Sequence, residues 1–91
     1  KVLFIISDKS EEIRQKIIVD LNRGGTLIKG EGLYSQTDRQ VIFTVVNRRE
    51  TVMLQDYINE IDPLAFVTVL NSNEILGNGF RSLRDKVTET V

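Results

Sequence analysis

The residues able to do chemistry in this chain are few and scattered. Gly30-Glu31-Gly32, followed by Leu33-Tyr34, sets two glycines inside what reads as a strand. Glycine weakens a strand unless something needs the room. The motif is therefore either a place of close approach for a ligand or partner backbone, or a β-bulge before a hairpin. It is not a dinucleotide fingerprint, because it opens no helix and lacks the third glycine. Arg48-Arg49 begins a helix, where free N–H groups and the dipole attract anions. The pair either holds phosphate or carboxylate, or is a solvated pair beside Glu50. Gly77-Asn78-Gly79-Phe80 is either a phosphate cradle or a helix stop and a turn that returns Phe80 to the body. The lysine and serine of a P-loop do not follow it. Tyr34 either stacks on a base or ring or simply packs. Gly30, Gly32, Tyr34, Arg48, Arg49, Gly77, Gly79 and Phe80 are thus the candidate site, and its ligand would be a small anion such as a nucleotide.

Other chemistries are poorly served. The chain has neither histidine nor cysteine, so it offers no imidazole base, thiolate or disulfide. A hydrolase would need an unassisted serine or an acidic dyad, and no local pattern marks either. The expectation is a non-catalytic domain without metal or cofactor. A net charge of −1 supplies no positive field for a nucleic-acid backbone. No apolar run approaches the ~20 residues that span a bilayer, and no signal peptide is visible. The chain starts at Lys1 and runs directly into a strand, which reads as a piece cut from a longer protein.

The elements that must position these residues follow from the apolar blocks. Val2 to Ile6 is a continuous apolar run, the pattern of a strand buried on both faces. Ser7 or Asp8 can cap the next helix, about Lys9 to Asn22, whose Ile13, Ile17, Ile18 and Leu21 share one arc. Arg23-Gly24-Gly25 stops it, glycine supplying the left-handed turn. A second strand runs from Thr26 to Tyr34, a loop from Ser35 to Gln40, and a third strand from Val41 to Val46. Asn47 and Glu50 have capping-box spacing at the start of a second helix. Met53, Leu54, Tyr57, Ile58 and Ile61 form its buried face, and Asp62-Pro63 ends it. Phe66 to Leu70 is the fourth strand. Asn71 or Ser72 can cap a short turn ending at Gly77. Phe80, Leu83 and Val87 then keep a loose helical spacing.

A βαββαβ order with short links is the ferredoxin-like signature, an α+β sandwich with a four-stranded antiparallel sheet and both helices on one face. Residues 1–80 form that domain and 81–91 a tail, either a short helix or frayed. Strands one and three should be central. Lys29, Gly30 and Gly32 suit an edge, where charge and glycine discourage unwanted pairing. A folded chain of this length hides roughly 64% of its unfolded surface, a thin core. Val2, Phe4 and Ile6 point one way and Leu3 and Ile5 the other; strand three likewise carries apolar residues on both faces. One apolar sheet face is therefore left over. Either a homo-oligomer packs through it or residues 81–91 fold back over it. The oligomer is expected, since that tail is mostly polar. RNA binding would use Phe4 and Phe43 on this face, but the charge balance opposes it.

Several segments together resemble a known family. They are Phe4-Ile5-Ile6-Ser7-Asp8-Lys9, Gly30-Glu31-Gly32-Leu33-Tyr34, Asn47-Arg48-Arg49-Glu50, Ile61-Asp62-Pro63-Leu64-Ala65-Phe66 and Glu74-Ile75-Leu76-Gly77-Asn78-Gly79-Phe80. In this order, over residues 2–80, they resemble the C-terminal soluble domain of the YitT family of bacterial membrane proteins, a domain of unknown function. Ser10 stands where a proline is expected after Lys9. The resemblance implies a cytoplasmic domain following the membrane-spanning region of a parent chain. The fold is also similar to that of the PII signalling proteins, which form trimers and bind nucleotides in clefts between subunits; this likeness is of fold alone. Together these imply a regulatory, ligand-sensing module with its site at a subunit boundary, or else a purely structural oligomerisation module of the membrane protein.

Overall fold

Val2–Ile6 forms β1 and alternates as its sequence requires: Leu3 and Ile5 are fully buried while Val2, Phe4 and Ile6 are half-buried on the opposite face. The computed structural model describes residues 1–72. In it β1 is followed by α1 (Ser10–Gln15), β2 (Thr26–Glu31), β3 (Asp38–Val45), α2 (Arg48–Ile61) and β4 (Phe66–Leu70). The sheet order is β2-β3-β1-β4, and every neighbouring pair is antiparallel. This is the expected α+β architecture, with β1 and β3 central and β2 and β4 at the edges. Residues 81–91 and the turn expected to end at Gly77 lie outside the described residues.

Both helices cover the face that carries Leu3 and Ile5. Ile13 and Ile17 from the first helical segment, and Leu54 and Ile58 from α2, cluster with Leu3, Ile5, Ile42 and Val46. Each such side chain contributes about 1.5–3 kcal/mol when fully removed from water. Thr44 is the most deeply buried polar residue beside this cluster. It is fully buried, and its hydroxyl donates to the Gly24 carbonyl at 2.8 Å, so its burial leaves no unpaired group.

The first helical segment departs from expectation. Lys9 rather than Ser7 or Asp8 is its cap, and the Lys9 side chain makes no capping bond. After Gln15 the coil widens to a π-helical turn over Lys16–Asp20. There the Leu21 N–H reaches back five residues to the Lys16 carbonyl at 3.1 Å. The left-handed residue that ends the helix is Asn22, with φ 54°, not a glycine; asparagine tolerates that region better than most side chains. Gly25 serves a different purpose. A β-carbon there would stand 2.6 Å from the Phe43 carbonyl oxygen, so glycine lets the incoming chain lie against β3.

The second half follows its local signals more closely. Asn47 accepts from the Glu50 N–H at 2.8 Å and its own N–H donates to Glu50 Oε1 at 3.0 Å, a complete capping box. Glu50 also receives both bonds of the Arg23 guanidinium Nε at 2.9 and 3.2 Å, and both side chains are largely buried. One carboxylate thus caps α2 and ties it to the end of the first helical segment. Thr51, Leu54 and Ile58 are the buried residues of α2. Met53 stands on the exposed shoulder instead, and Tyr57 lies beneath the Lys16 ammonium, 4.7 Å from its ring centroid. Asp62 ends α2 in an extended conformation ahead of Pro63, as steric exclusion before proline demands.

The two glycines on either side of β2's midpoint give a direct test. Gly25→Ala should cost about 1–3 kcal/mol, because backbone must move to admit the methyl group. Gly30 is regularly paired with Arg39, and a β-carbon there would meet nothing within 4 Å. Gly30→Ala should shift stability by under about 1 kcal/mol, upward if at all. Urea midpoints of the two variants at unchanged slope decide the matter.

Candidate functional site

β3 runs from the hairpin to α2, and this direction divides the candidate residues. Gly30 lies in β2 opposite Arg39 near the start of β3; Gly32 and Tyr34 lie in the hairpin turn that β2 and β3 share. Arg48 and Arg49 begin α2 just past the far end of β3. By strand rise these groups are about 20 Å apart. They do not meet within one chain. Gly77, Gly79 and Phe80 lie outside the described residues.

The hairpin turn has the length that the sequence suggests but lies three residues earlier in the chain. β2 ends at Glu31, and β3 already begins at Asp38. Polar Asp38, Arg39 and Gln40 can continue a strand because they pair with Glu31, Gly30 and Lys29, where the ladder alone is at stake. There is no bulge at Gly30: the register is regular from Thr26↔Phe43 to Glu31↔Asp38. The turn is closed by Gly32 N–H to the Thr37 carbonyl and Gln36 N–H to the Gly32 carbonyl, both at 2.9 Å. Leu33 and Tyr34 at its tip are completely exposed.

At the α2 end, the helix N-terminus is already served. Glu50 supplies the negative charge that the dipole attracts, and Arg23 in turn neutralises Glu50. Arg48 and Arg49 are exposed and make no ion pair among the described residues.

The hairpin end also holds a polar hollow of about 240 Å³ lined by Ser7, Asp8, Ser10, Asp38, Arg39 and Gln40. Its groups satisfy one another. Arg39 pairs with Asp8 at 2.6 Å, and Ser10 donates to Gln40 at 2.8 Å. Ser7 donates to Asp62 Oδ2 at 2.5 Å and accepts from the Lys9 N–H at 2.9 Å, while Asp62 Oδ1 accepts from the Leu64 N–H at 3.0 Å. This serine–carboxylate contact is badly arranged for nucleophilic chemistry. The Ser7 hydroxyl, and then the Leu64 N–H, hold the Asp62 carboxyl below its ordinary value, which makes it a weaker base. The contact instead fastens the start of α1 to the end of α2. Among the described residues no group of carboxylates could hold a metal ion.

The sheet face away from the helices is apolar and uncovered among the described residues. Register places Val2, Phe4 and Ile6 beside Val41, Phe43 and Val45 on it. Phe4 and Phe43 lie in tilted contact with ring centroids 5.3 Å apart. The edges extend the patch: β4 adds Phe66, 65% exposed, and Leu70, while β2 adds Ile28. Sequence reasoning found the central strands of this face from their alternation. It missed the edge contributions, which depend on strand pairing. No described helix is long and apolar enough to cross a membrane.

Residues 23–77 match the family described as "Uncharacterized protein conserved in bacteria (DUF2179)". The chain is 46% identical over 76 residues to the UPF0750 membrane protein YpjC of Bacillus subtilis, covering 84% of this chain and 26% of that protein. It is 31% identical over 80 residues to the UPF0750 membrane protein YxkD of the same organism, covering 88% and 29%. YitT itself is among the matching UPF0750 proteins, which bears out the family resemblance. The chain therefore spans under a third of the length of these membrane proteins. A crystal structure of an uncharacterized bacterial DUF2179 protein from Eubacterium ventriosum superposes with a TM-score of 0.67 at 28% identity, covering 76% of this chain and 94% of that one.

The Asp62 contact makes a pH prediction. A carboxyl whose folded pKa is lowered adds stability above its unfolded pKa, about 3.9, and loses it as pH falls through the folded value. Wild type should therefore lose thermal stability more steeply below about pH 4 than Ser7→Ala, and the two midpoints should converge in acid. Parallel acid limbs would show that the contact contributes nothing.

Proposed function

Because this chain belongs to the DUF2179 family, whose matching relatives include membrane proteins, we propose that it is a non-catalytic regulatory domain of a bacterial membrane protein. It acts on the cytoplasmic side by associating with copies of itself through the uncovered face of its sheet. The observation that carries this reading is that face, with Phe4 and Phe43 at its centre and Phe66 and Leu70 at its margin. Association costs about 4–15 kcal/mol in lost freedom. A half-buried apolar side chain recovers about 1 kcal/mol on full burial. Several such residues from each copy bring the sum to the same order. The isolated domain should then associate weakly, and a parent chain that holds copies together would strengthen the contact through effective concentration.

The same reading gives the anion candidates a place. Arg48 and Arg49 lie about 20 Å from the Gly30–Tyr34 hairpin within one chain, so only a boundary between copies can join them into one site. A small anionic ligand such as a nucleotide, bound there, would favour the assembled state and report to the membrane part. The alternative, assembly without a ligand, rests on the same face.

Light scattering from micromolar to millimolar concentrations should give a mass above one chain that rises with concentration. Phe66→Lys should lower it without unfolding the protein, since Phe66 is mostly exposed in the single chain. A wild-type mass of one chain at every concentration would overturn the reading. Nucleotides binding the assembled form should raise its melting temperature, by about 2.7 kcal/mol of stabilisation at a hundredfold excess over Kd. No rise with any nucleotide leaves assembly alone as the function.

A further inference from the structure

The outer edge of β2 is unpaired among the described residues. β2 ends the sheet order, all of its residues are exposed, and no described strand lies beyond it. Natural edge strands are commonly blunted by proline, bulges or charge, lysine above all; β2 carries Lys29, which would oppose indiscriminate pairing, but Glu31 two residues on carries the opposite charge. β2 has no proline and keeps regular register with β3 from Thr26 to Glu31.

The ladder fixes which peptide groups point outward. Gly32 N–H donates to the Thr37 carbonyl, and this pair continues the β2–β3 register. Antiparallel alternation then makes Glu31/Asp38 a non-bonded pair, Gly30/Arg39 a bonded one and Lys29/Gln40 non-bonded. The backbone groups of Leu27, Lys29 and Glu31 are therefore the ones that face away from the sheet.

We propose that β2 pairs with β2 of a second copy of this chain, antiparallel, about a two-fold axis at Gly30, so that two sheets join edge to edge. This register sets Lys29 opposite Glu31 of the other copy, twice. Those are outward-facing residues, so each pair can exchange backbone hydrogen bonds, and the charges attract across it. Neither residue makes an ion pair among the described residues. Gly30 meets its own copy at the non-bonded position, where α-carbons come within about 4.5 Å and side chains crowd most. Here no side chain exists, and the space is open. The internal structure gives this glycine no other reason, since its register is regular, its φ is not left-handed and nothing lies close to it. Charge also selects the orientation: a parallel in-register partner would set Lys29 on Lys29. The symmetry is isologous and closes at two copies. This contact uses the edge of the sheet rather than its face, and it goes beyond the assembly already proposed.

Sedimentation velocity on charge variants tests it, carried out on the Phe66→Lys chain so that the face contact is weakened. Residual dimer should persist there. Lys29→Glu and Glu31→Lys should each raise its dissociation constant about tenfold, and the double exchange should restore it, because reversed charges attract again. Hydrogen exchange supplies a second readout. The amides of Lys29 and Glu31 should gain protection with concentration, while that of Gly30, already turned toward β3, should not change. Equal masses for all the charge variants overturn the proposal. If Phe66→Lys alone abolishes all association, the face contact stands and the edge contact falls. If association responds to the charge exchange but not to Phe66→Lys, the edge stands and the face contact falls.

Discussion

The β1–β3 pair governs this molecule, because it is apolar on both faces and only one face can be covered by two helices. Leu3 and Ile5 pair with Thr44 and Ile42 and vanish under the helix layer. Phe4 and Phe43 pair on the other side and pack against each other. An antiparallel sheet with one wet face normally alternates apolar with polar residues. Here both faces are apolar at the centre of the sheet, and both turn polar at the hairpin end, where Lys29, Glu31, Asp38, Arg39 and Gln40 appear. Within these residues the apolar layer points outward from a body too small to enclose it.

The helix layer is held by a few contacts that each serve two elements. Glu50 caps α2 and anchors Arg23. Asp62 is oriented by Ser7 and Leu64, linking the end of α2 to the start of α1. Thr44 joins β3 to the chain entering β2 through Gly24. These links sit at the two ends of the sandwich, while the middle is packing alone. The π-helical turn belongs to the same arrangement. The widened coil at Lys16–Asp20 carries the chain to Asn22 and Arg23, and Arg23 there reaches Glu50.

Local chemistry was legible in the sequence wherever the deciding contact was also local. The capping box at Asn47 and Glu50 spans three residues, Asp62-Pro63 two, and the alternation of β1 five; all were readable. The way the first helical segment ends was only partly so. Its position near Asn22 was readable, but the left-handed residue there is Asn22 itself and not a glycine, and the next residue, Arg23, meets Glu50, twenty-seven positions away. β3 began three residues earlier than its apolar run because Asp38 to Gln40 are held by pairing. Met53 was placed inside by spacing, yet the buried stripe runs through Thr51, Leu54 and Ile58; a threonine that donates to the Asn47 carbonyl at 2.9 Å can occupy such a position. The division of the candidate site followed from topology alone. A hairpin and a helix joined to opposite ends of one strand cannot share a ligand in a single copy.

That division bears on how such a domain would work. A site contained in one chain can bind without reporting anything about its neighbours. A site made from the hairpin of one copy and the helix start of another exists only in the assembled state, so ligand and assembly would stabilise each other by equal amounts. Weak self-association is then an advantage. A contact already saturated could not be shifted, whereas one near balance responds to a ligand bound preferentially by one state. On the proposed reading, uncovered Phe4 and Phe43 would drive association, Arg48 and Arg49, without ion pairs among the described residues, would limit it through repulsion wherever copies bring them close, and an anion bound between copies would relieve that limit.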